Sequence, residues 1–334
     1  MSGAPGGSNR LLVVGAADVR RALPMRDCIE LMTQTMSSVS RGDAKIPLRT
    51  MIMLPGANIF GAMPGYLERP RALGAKLICV FPDNSRRGLA SHCGVVVVFD
   101  PETGLARAVL DASSVTAVRT AAASAAATRA LARQDAALLA ILGAGEQAAT
   151  HLEAIAAVRT LRSVHVWARR QEQARAFAVR EGAHSSVPIA VAASAREAVA
   201  CADIVCTVSG AHEPILHGEW LGAGTHVNLV GASQATTREA DDSVVARSRY
   251  FVDLRASARA EAGELLHAIH AGLVKETHII AEIGEVLNGS APGRTGDDQI
   301  TVYKSLGIAA QDLAAADAIC ARATASGLGS IVPF

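Results

Sequence analysis

The segment Leu138-Leu-Ala-Ile-Leu-Gly143-Ala-Gly145-Glu-Gln-Ala148 joins a short apolar run to a Gly-x-Gly-x-x-Ala motif. A strand that enters such a turn and continues as a helix is typical of dinucleotide-binding folds. Gly143 permits the tight turn, Gly145 lets the backbone approach a pyrophosphate, and the small Ala148 lets helix and strand pack closely. The helix N-terminus adds backbone N–H donors for the phosphates. The predicted pyrophosphate-binding residues are Gly143, Ala144, Gly145 and Gln147.

Around this segment, β-branched runs alternate with Ala-rich stretches, the pattern of a parallel sheet covered by helices. The predicted strands are 138–142, 164–167, 187–191, 204–208, 226–230 and 250–254. Predicted helices cover 146–158, 171–181 and 195–201. The fold class is therefore α/β, with a Rossmann-type doubly wound sheet.

The end of the second strand bears on the choice of nicotinamide cofactor. An acidic residue there would bind the ribose hydroxyls, whereas Arg accommodates a 2′-phosphate. Here the strand runs into Arg169 and Arg170 with no acid, which favours NADPH and leaves NADH possible. The alternative is that these arginines are simply the solvated start of a helix, or that they stack on the adenine. Thr207 and Val208, at the end of a later strand, are expected to face the cofactor crevice.

The flanking sequence has a different pattern. Extended runs at 51–54, 76–81 and 95–99 are separated by turn signals at 55–56, 64–65, 82–84 and 100–104. These signals predict a second, mixed α+β domain. Helices are predicted at 112–131, joining the two parts, and at 308–325, returning to the first domain.

Composition excludes several classes of protein. The 334 residues are half apolar and carry 32 Lys plus Arg against 31 Asp plus Glu, so no excess charge attracts nucleic acid. The apolar runs are much shorter than the roughly 20 residues needed to cross a bilayer, and no membrane partner is expected. Six scattered cysteines without metal-ligand spacing suggest reduced thiols, a cytoplasmic location and no metal site.

Several further segments together carry a family pattern. They are Gly61-Ala-Met-Pro-Gly-Tyr66, Leu73-Gly-Ala-Lys76, Phe81-Pro-Asp-Asn84, Phe99-Asp-Pro-Glu-Thr-Gly104, Val118-Arg-Thr-Ala-Ala122, Gly143-Ala-Gly-Glu-Gln147, Gly293-Arg294 and Ile300-Thr-Val-Tyr-Lys-Ser305. With these segments the chain resembles the ornithine cyclodeaminase/μ-crystallin family over nearly its whole length. The family includes cyclodeaminases, alanine dehydrogenases, ketimine and cyclic imine reductases, and a thyroid-hormone-binding crystallin.

The resemblance implies a domain arrangement and an assembly. Residues 1–120 together with 308–334 would form a substrate-binding and dimerisation domain. Residues 121–307 would form the Rossmann domain, and the protein would be a homodimer.

The resemblance also implies which residues bind substrate. Arg49, Lys76 and Arg119 fall where the family gathers cations around its substrate, and converging cations suit a carboxylate. Lys76 heads an apolar run where an unpaired ammonium is costly, and it is also a candidate proton donor. Ser91 is expected to contact substrate, and Thr120 to lie near the nicotinamide.

Ser233 departs from one branch of the family. Cyclodeaminases and related alanine dehydrogenases have an Asp at this position that interacts with the substrate amine, whereas this chain has Ser233. A hydroxyl without an adjacent base is a poor general base. Serine here resembles the crystallin and ketimine-reductase branch, so Ser233 is taken as a catalytic and cofactor-contacting candidate.

Two pairs of polar residues on one predicted helix are expected to have no catalytic role. His267 and His270 lie on a predicted helix over 258–271 without a matching carboxylate and are interpreted as surface or packing residues. Glu261 and Glu264 on the same helix are interpreted as a solvated face.

The sequence therefore predicts an NAD(P)H-dependent reductase of a small imino or ketimine carboxylate. Three alternatives remain: an ornithine-type cyclodeaminase that uses NAD and releases ammonia, an amino-acid dehydrogenase, and a non-enzymatic NADPH-gated small-ligand binder.

Overall fold

The computed structural model describes residues 10–334, without the side chains of residues 85 and 86. The chain divides into two compact units. Unit 1 comprises the described residues up to Leu31, Gly42–Arg119 and Ala309–Phe334. Unit 2 comprises Met32–Arg41 and Thr120–Ile308. Among the described residues no helix is long and apolar enough to cross a membrane.

Unit 1 is built on an eight-stranded mixed sheet. Its strands are Arg10–Val14 (β1), Ala44–Lys45 (β2), Thr50–Leu54 (β3), Asn58–Glu68 (β4), Arg71–Val80 (β5), His92–Phe99 (β6), Ala106–Asp111 (β7) and, near the C-terminus, Ser330–Pro333. The C-terminal strand, β1, β7, β6, β5, β4 and β2 lie in that order, and β3 also pairs with β4. All these pairs are antiparallel except β1 with β7.

Helix Ala16–Ala22 (α1) and, near the C-terminus, the helix Ala309–Ser326 pack against this sheet. Helices Met25–Ser40 (α2) and Ala112–Leu131 (α3) each begin in unit 1 and end in unit 2. The C-terminal helix packs on β4 and β5 because two glycines leave room for it. A Cβ added at Gly65 or Gly74 would meet the Leu313 side chain at 3.1 or 2.9 Å.

Unit 2 is built on an eight-stranded sheet in which every pair is parallel. Its strands are Leu138–Leu142 (β8), Ser163–Trp167 (β9), Ile189–Val191 (β10), Ile204–Thr207 (β11), His226–Leu229 (β12), Ser248–Val252 (β13), Ile279–Glu282 (β14) and Ile300–Lys304 (β15). The order is β10-β9-β8-β11-β12-β15-β13-β14. The direction of winding reverses between β8 and β11, where open α/β sheets bind their ligands at the carboxyl ends of the strands.

The helices of unit 2 follow its strands in turn. They are Glu146–Val158 (α4), Gln171–Gly182 (α5), Ala195–Val199 (α6), Asp242–Ala246 (α7), Arg255–Glu261 (α8), Gly263–His270 (α9) and Ile283–Leu287 (α10). The two C-terminal elements of unit 1 complete the numbering: the helix Ala309–Ser326 is α11, and the strand Ser330–Pro333 is β16. Short 3₁₀ helices lie at Pro55–Ala57, Pro82–Arg87, Gly218–Trp220 and Glu276–His278.

The predicted fold class is confirmed, and the strands predicted for the Rossmann-type sheet lie within two residues of their observed bounds. One turn prediction was wrong, because Pro64 and Gly65 lie inside β4. On one side of β4 the partner strand β3 pairs only as far as Ala62, and β2 begins to pair at Tyr66. Pro64 therefore lies where no neighbour on that side needs its missing N–H.

The helix predicted over 258–271 was also wrong, because the structure has two helices there. The backbone breaks at Ala262, whose φ of −77° and ψ of 88° are not helical. Gly263 follows, and a Cβ at that position would collide with the Thr237 carbonyl oxygen. Close backbone packing at Gly263 accounts for the break.

Candidate active site

The loop after β8 has the geometry that a dinucleotide needs. Gly143 has φ of +137°, and a Cβ added there would lie 2.6 Å from the Val208 carbonyl oxygen. At Gly145 an added Cβ would meet no atom within 4 Å. Gly143 therefore joins the ends of β8 and β11 closely, while Gly145 leaves open space beside the backbone. These residues fit the pyrophosphate of a nicotinamide dinucleotide.

Helix α4 begins next to this loop. Gly145 is its N-cap and makes no side-chain cap, and Ala148 is fully buried. Ala144 and Gln147 are partly exposed. The N-terminus of α4 is the positive end of the helix dipole, and it lies next to the open space at Gly145.

Arg169 and Arg170 follow β9, as the sequence predicts, and both side chains are exposed. Arg170 is the N-cap residue of α5, and its Nε lies 3.9 Å from Glu172 Oε1. At that distance between exposed groups the attraction is weak. Both guanidiniums remain near the end of the second strand of the sheet.

The ends of β11 and β12 are tied together by a carboxylate that the sequence analysis missed. Glu239 is fully buried and accepts hydrogen bonds from Thr207 Oγ1 at 2.8 Å and from the Ser209 N–H at 2.7 Å. It also accepts from Ser209 Oγ at 2.6 Å and from the Gly231 N–H at 2.6 Å. Burial raises the pKa of Glu239 above its ordinary value, although these donors and Lys304 oppose the shift. The Thr207 hydroxyl is thus engaged within the protein.

A second buried carboxylate continues this network and corrects a prediction. Glu264 is fully buried, so the interpretation of Glu264 as part of a solvated helix face was wrong. Its Oε2 lies 2.8 Å from Lys304 Nζ, which donates to the Ala232 carbonyl at 2.6 Å. Because Ala232 precedes Ser233, the network supports the loop that presents Ser233, whose side chain is partly exposed.

One histidine also has a partner that the sequence analysis did not find. The expectation that His267 lacks a matching carboxylate was wrong, since His267 Nδ1 lies 2.7 Å from Asp242 Oδ1. Both groups belong to helices on the surface of unit 2. Within residues 10–334, no three His, Cys, Asp or Glu side chains group as a metal site would require.

Unit 1 holds a buried pair of cations around one carboxylate. Lys76 on β5 and Arg119 on α3 are each 4% exposed. Lys76 Nζ lies 3.3 Å from Asp312 Oδ1, and Arg119 Nε lies 2.9 Å from the same oxygen. Arg119 Nη1 also donates to Gln311 Oε1 at 2.8 Å. Helix α11 therefore supplies the partners of both predicted cations.

The pKa of Lys76 is lowered from 10.5 to about 8, chiefly by burial. The charges of Arg119 and Arg49 contribute to this shift, and Asp312 opposes it. The pKa of Asp312 is held below its usual value, since the attraction of Arg119 and Lys76 outweighs burial. Lys76 is thus an ammonium that releases its proton far more readily than an exposed lysine.

Two other predicted substrate residues, Arg49 and Ser91, also belong to unit 1. Arg49 is partly exposed and precedes β3, and its charge acts on Lys76. Ser91 precedes β6, and its Oγ lies 3.1 Å from His92 Nδ1. Burial and the Lys76 charge lower the pKa of His92, a residue that the sequence analysis did not single out. Thr120 on α3 is buried, and its Oγ1 makes no hydrogen bond among the described residues.

The fold and these residues define an α/β protein with a dinucleotide-binding loop in unit 2 and a buried pair of cations in unit 1. Residues 10–327 match the sequence profile of the Ornithine cyclodeaminase/mu-crystallin family. The chain belongs to this family, as its resemblance predicted.

Known proteins resemble the chain over most of its length. The ketimine reductase mu-crystallin of Mus musculus is 38% identical over 86% of this chain and 88% of its own. The Delta(1)-pyrroline-2-carboxylate reductase of Thermococcus litoralis, solved in complex with NADH and L-proline, is 34% identical with a TM-score of 0.93. The superposition covers 96% of this chain and 99% of that one. An archaeal alanine dehydrogenase dimer with bound NAD is 28% identical and has a TM-score of 0.92. Its superposition covers 97% of this chain and 99% of that one.

Proposed function

We propose that this protein reduces the C=N bond of a small imino or ketimine carboxylate with NAD(P)H and so forms an amino acid. The observation that carries the proposal is the buried pair Lys76 and Arg119 in unit 1, in a chain whose unit 2 has a dinucleotide loop at Gly143. Two similar proteins support it, because one is a ketimine reductase and the other a pyrroline-2-carboxylate reductase. L-proline, found in the second structure, is the reduced form of such a cyclic imine.

Substrate binding is assigned to unit 1. Arg119 and Lys76 bind the carboxylate, with Arg49 adding positive charge, since guanidinium groups form paired hydrogen bonds with carboxylates. Ser91 hydrogen-bonds the substrate. Lys76 delivers the proton that the imine nitrogen takes up, a role suited to a buried amine whose pKa is about 8.

Cofactor binding is assigned to unit 2. Gly143, Ala144, Gly145 and Gln147 hold the pyrophosphate, and Thr120, Thr207, Val208 and Ser233 line the nicotinamide region. When bound, the reduced nicotinamide supplies the hydride that is transferred to the imine carbon. Ser233 carries no negative charge, which fits a substrate that needs placement rather than deprotonation of an amine.

Arg169 and Arg170 are proposed to favour NADPH by binding its 2′-phosphate. The catalytic efficiency with NADPH and with NADH tests this, first in the wild type and then in Arg169→Asp. We expect the wild type to prefer NADPH and the variant to lose most of that preference. A wild type that prefers NADH would contradict the assignment.

A panel of cyclic imines tests the function itself. Pyrroline-2-carboxylate and piperideine-2-carboxylate are incubated with NADPH or NADH, and the loss of cofactor absorbance is followed. Ornithine and lysine are included, with ammonia release measured in the presence of catalytic NAD. Ammonia release without net cofactor consumption would instead indicate a cyclodeaminase.

A homodimer is proposed to form through one face of the unit 1 sheet. The cross-strand pairs Leu73–Phe99, Ala75–Val97 and Leu77–Val95 are apolar and only partly buried. The opposite face of the same strands is buried and packs on α11. The similar alanine dehydrogenase is a dimer. Light scattering on Leu73→Asp, compared with the wild type, tests the interface, and a variant that stays dimeric would contradict it.

A further inference from the structure

Asp312 is a charged residue in the first turn of an otherwise Ala-rich helix. The residue is fully buried, where an unpaired carboxylate is costly. Both of its observed ion pairs run through Oδ1, to Lys76 Nζ at 3.3 Å and to Arg119 Nε at 2.9 Å. The second oxygen, Oδ2, makes no hydrogen bond among the described residues. The observed partners of the carboxylate are therefore the two cations and not the backbone N–H groups at the start of its own helix.

The charges around Lys76 show what this carboxylate does. Arg119 on α3 and Arg49 before β3 both act on Lys76 and both repel its ammonium. His92 on β6 also interacts with the Lys76 charge, and would add repulsion if protonated. Of these groups, Asp312 is the one that attracts the ammonium. Without it, two buried cations would lie side by side, and the lysine would lose its proton more readily.

We propose that Asp312 is a positioning residue that holds Lys76 and Arg119 together and keeps Lys76 protonated at neutral pH. This inference rests on the proposed function, in which Lys76 binds the carboxylate and donates the proton. With Asp312 present, Lys76, Arg119 and Asp312 together carry one positive charge, which matches a single carboxylate. The fixed Arg119 then needs no reorganisation when the substrate binds.

The test is the pH dependence of turnover in Asp312→Asn. The amide keeps the size of the side chain but removes its charge, so we expect the alkaline limb of kcat/KM to move down by about one pH unit or more. At pH 8 kcat/KM should fall at least ~5-fold, and at pH 6, where Lys76 is again protonated, it should return to within ~3-fold of the wild type. An equal loss at every pH would indicate a merely structural role and overturn the proposal.

Asp317→Asn is the matched control. Asp317 lies on the same helix, and its Oδ1 is 3.2 Å from Arg107 Nη1 on the partly exposed side. This variant removes an ion pair of α11 without touching Lys76. Its pH profile should coincide with that of the wild type.

A second measurement does not depend on turnover. The rate at which acetic anhydride acetylates Lys76 is followed by mass spectrometry as a function of pH, in the wild type, Asp312→Asn and Asp317→Asn. We expect a midpoint near 8 in the wild type and a lower one in Asp312→Asn alone. A wild-type midpoint below 7, or equal midpoints in the wild type and Asp312→Asn, would overturn the proposal. This holds even if the true substrate is not an imine.

Discussion

Gly143 and Gly145 lie two residues apart, and the structure gives each a different reason to be glycine. Gly143 has a positive φ and a backbone neighbour, the Val208 carbonyl, where a Cβ would lie. Gly145 has ordinary φ of −89° and open space beside it. The fold requires the first glycine, and we propose that the bound dinucleotide requires the second.

Alanine substitutions separate these two roles. Gly143→Ala should lower the free energy of unfolding by at least about 2 kcal/mol, because both the backbone angle and the contact with Val208 become strained. Gly145→Ala should change it by less than about 0.5 kcal/mol and yet weaken NAD(P)H binding at least ~10-fold, since the methyl group fills space next to the pyrophosphate. Urea unfolding and cofactor fluorescence titration measure the two effects. Unchanged cofactor affinity in Gly145→Ala would contradict this account of the loop.

The glycine loop was found from its own motif, whereas the cations Lys76 and Arg119 were found from the resemblance to the family. Their structural surroundings suit the roles now proposed. Asp312 was missed because it lies 236 positions from Lys76 and 193 from Arg119. Nothing local in an Ala-rich helix shows that one carboxylate pairs with cations of two other elements.

At the scale of elements, the loops after β11 and β12 are held by one side chain. Glu239 bonds both loops, through Ser209 and Gly231, and its own N–H donates to Glu264 Oε1 at 3.1 Å. Because Glu264 pairs with Lys304 on β15, three neighbouring strand ends share one buried polar network. Such networks are rigid when every member is satisfied.

Glu239→Gln should loosen this network. The new amide has one acceptor oxygen where the carboxylate had two, so at least one donor is left without a partner at a cost of about 1–3 kcal/mol. We expect lower stability in thermal unfolding and a higher KM for the cofactor. Glu213→Gln, at an exposed position on the loop after β11, is the control. Equal effects of both variants would show that Glu239 has no special role.

Element boundaries were predictable where hydrophobic periodicity alone sets them, as in β8 and α4. They were wrong where packing decides. Pro64 is normally a turn residue, but it is accommodated in β4 between the pairings with β3 and β2. The break before Gly263 depends on the Thr237 carbonyl, a neighbour that periodicity does not reveal.

At the scale of the molecule, two buried histidines link stability to pH. Burial lowers the pKa of His151 to about 4 and that of His226 to about 3. In the unfolded chain both titrate near 6.5. Between these values the unfolded state binds protons that the native state does not, so stability present above pH 6.5 is lost as the pH falls towards 4.

The free energy of unfolding should therefore be lower at pH 5 than at neutral pH, by about 2 kcal/mol for each histidine. Urea unfolding at pH 7.5, 6 and 5 measures the trend. His151→Gln should reduce the dependence on pH by about half, although it also loses the hydrogen bond with Ser124 Oγ at 2.9 Å. Substitution of the exposed His184 should leave the trend unchanged. A stability that does not vary over this range would refute the assignment of two neutral buried histidines.

We propose that the dinucleotide loop of unit 2 and the buried cations of unit 1 serve one reaction, the reduction of an imino acid. Its most direct test is the steady-state oxidation of NADPH or NADH by the full-length protein with pyrroline-2-carboxylate or piperideine-2-carboxylate, in the wild type and in Lys76→Ala. We predict turnover by the wild type with the matching cyclic amino acid as product. Lys76→Ala should lose at least ~100-fold in kcat/KM while binding the cofactor normally. Tight cofactor binding without oxidation by any imine, or full activity in Lys76→Ala, would contradict the account.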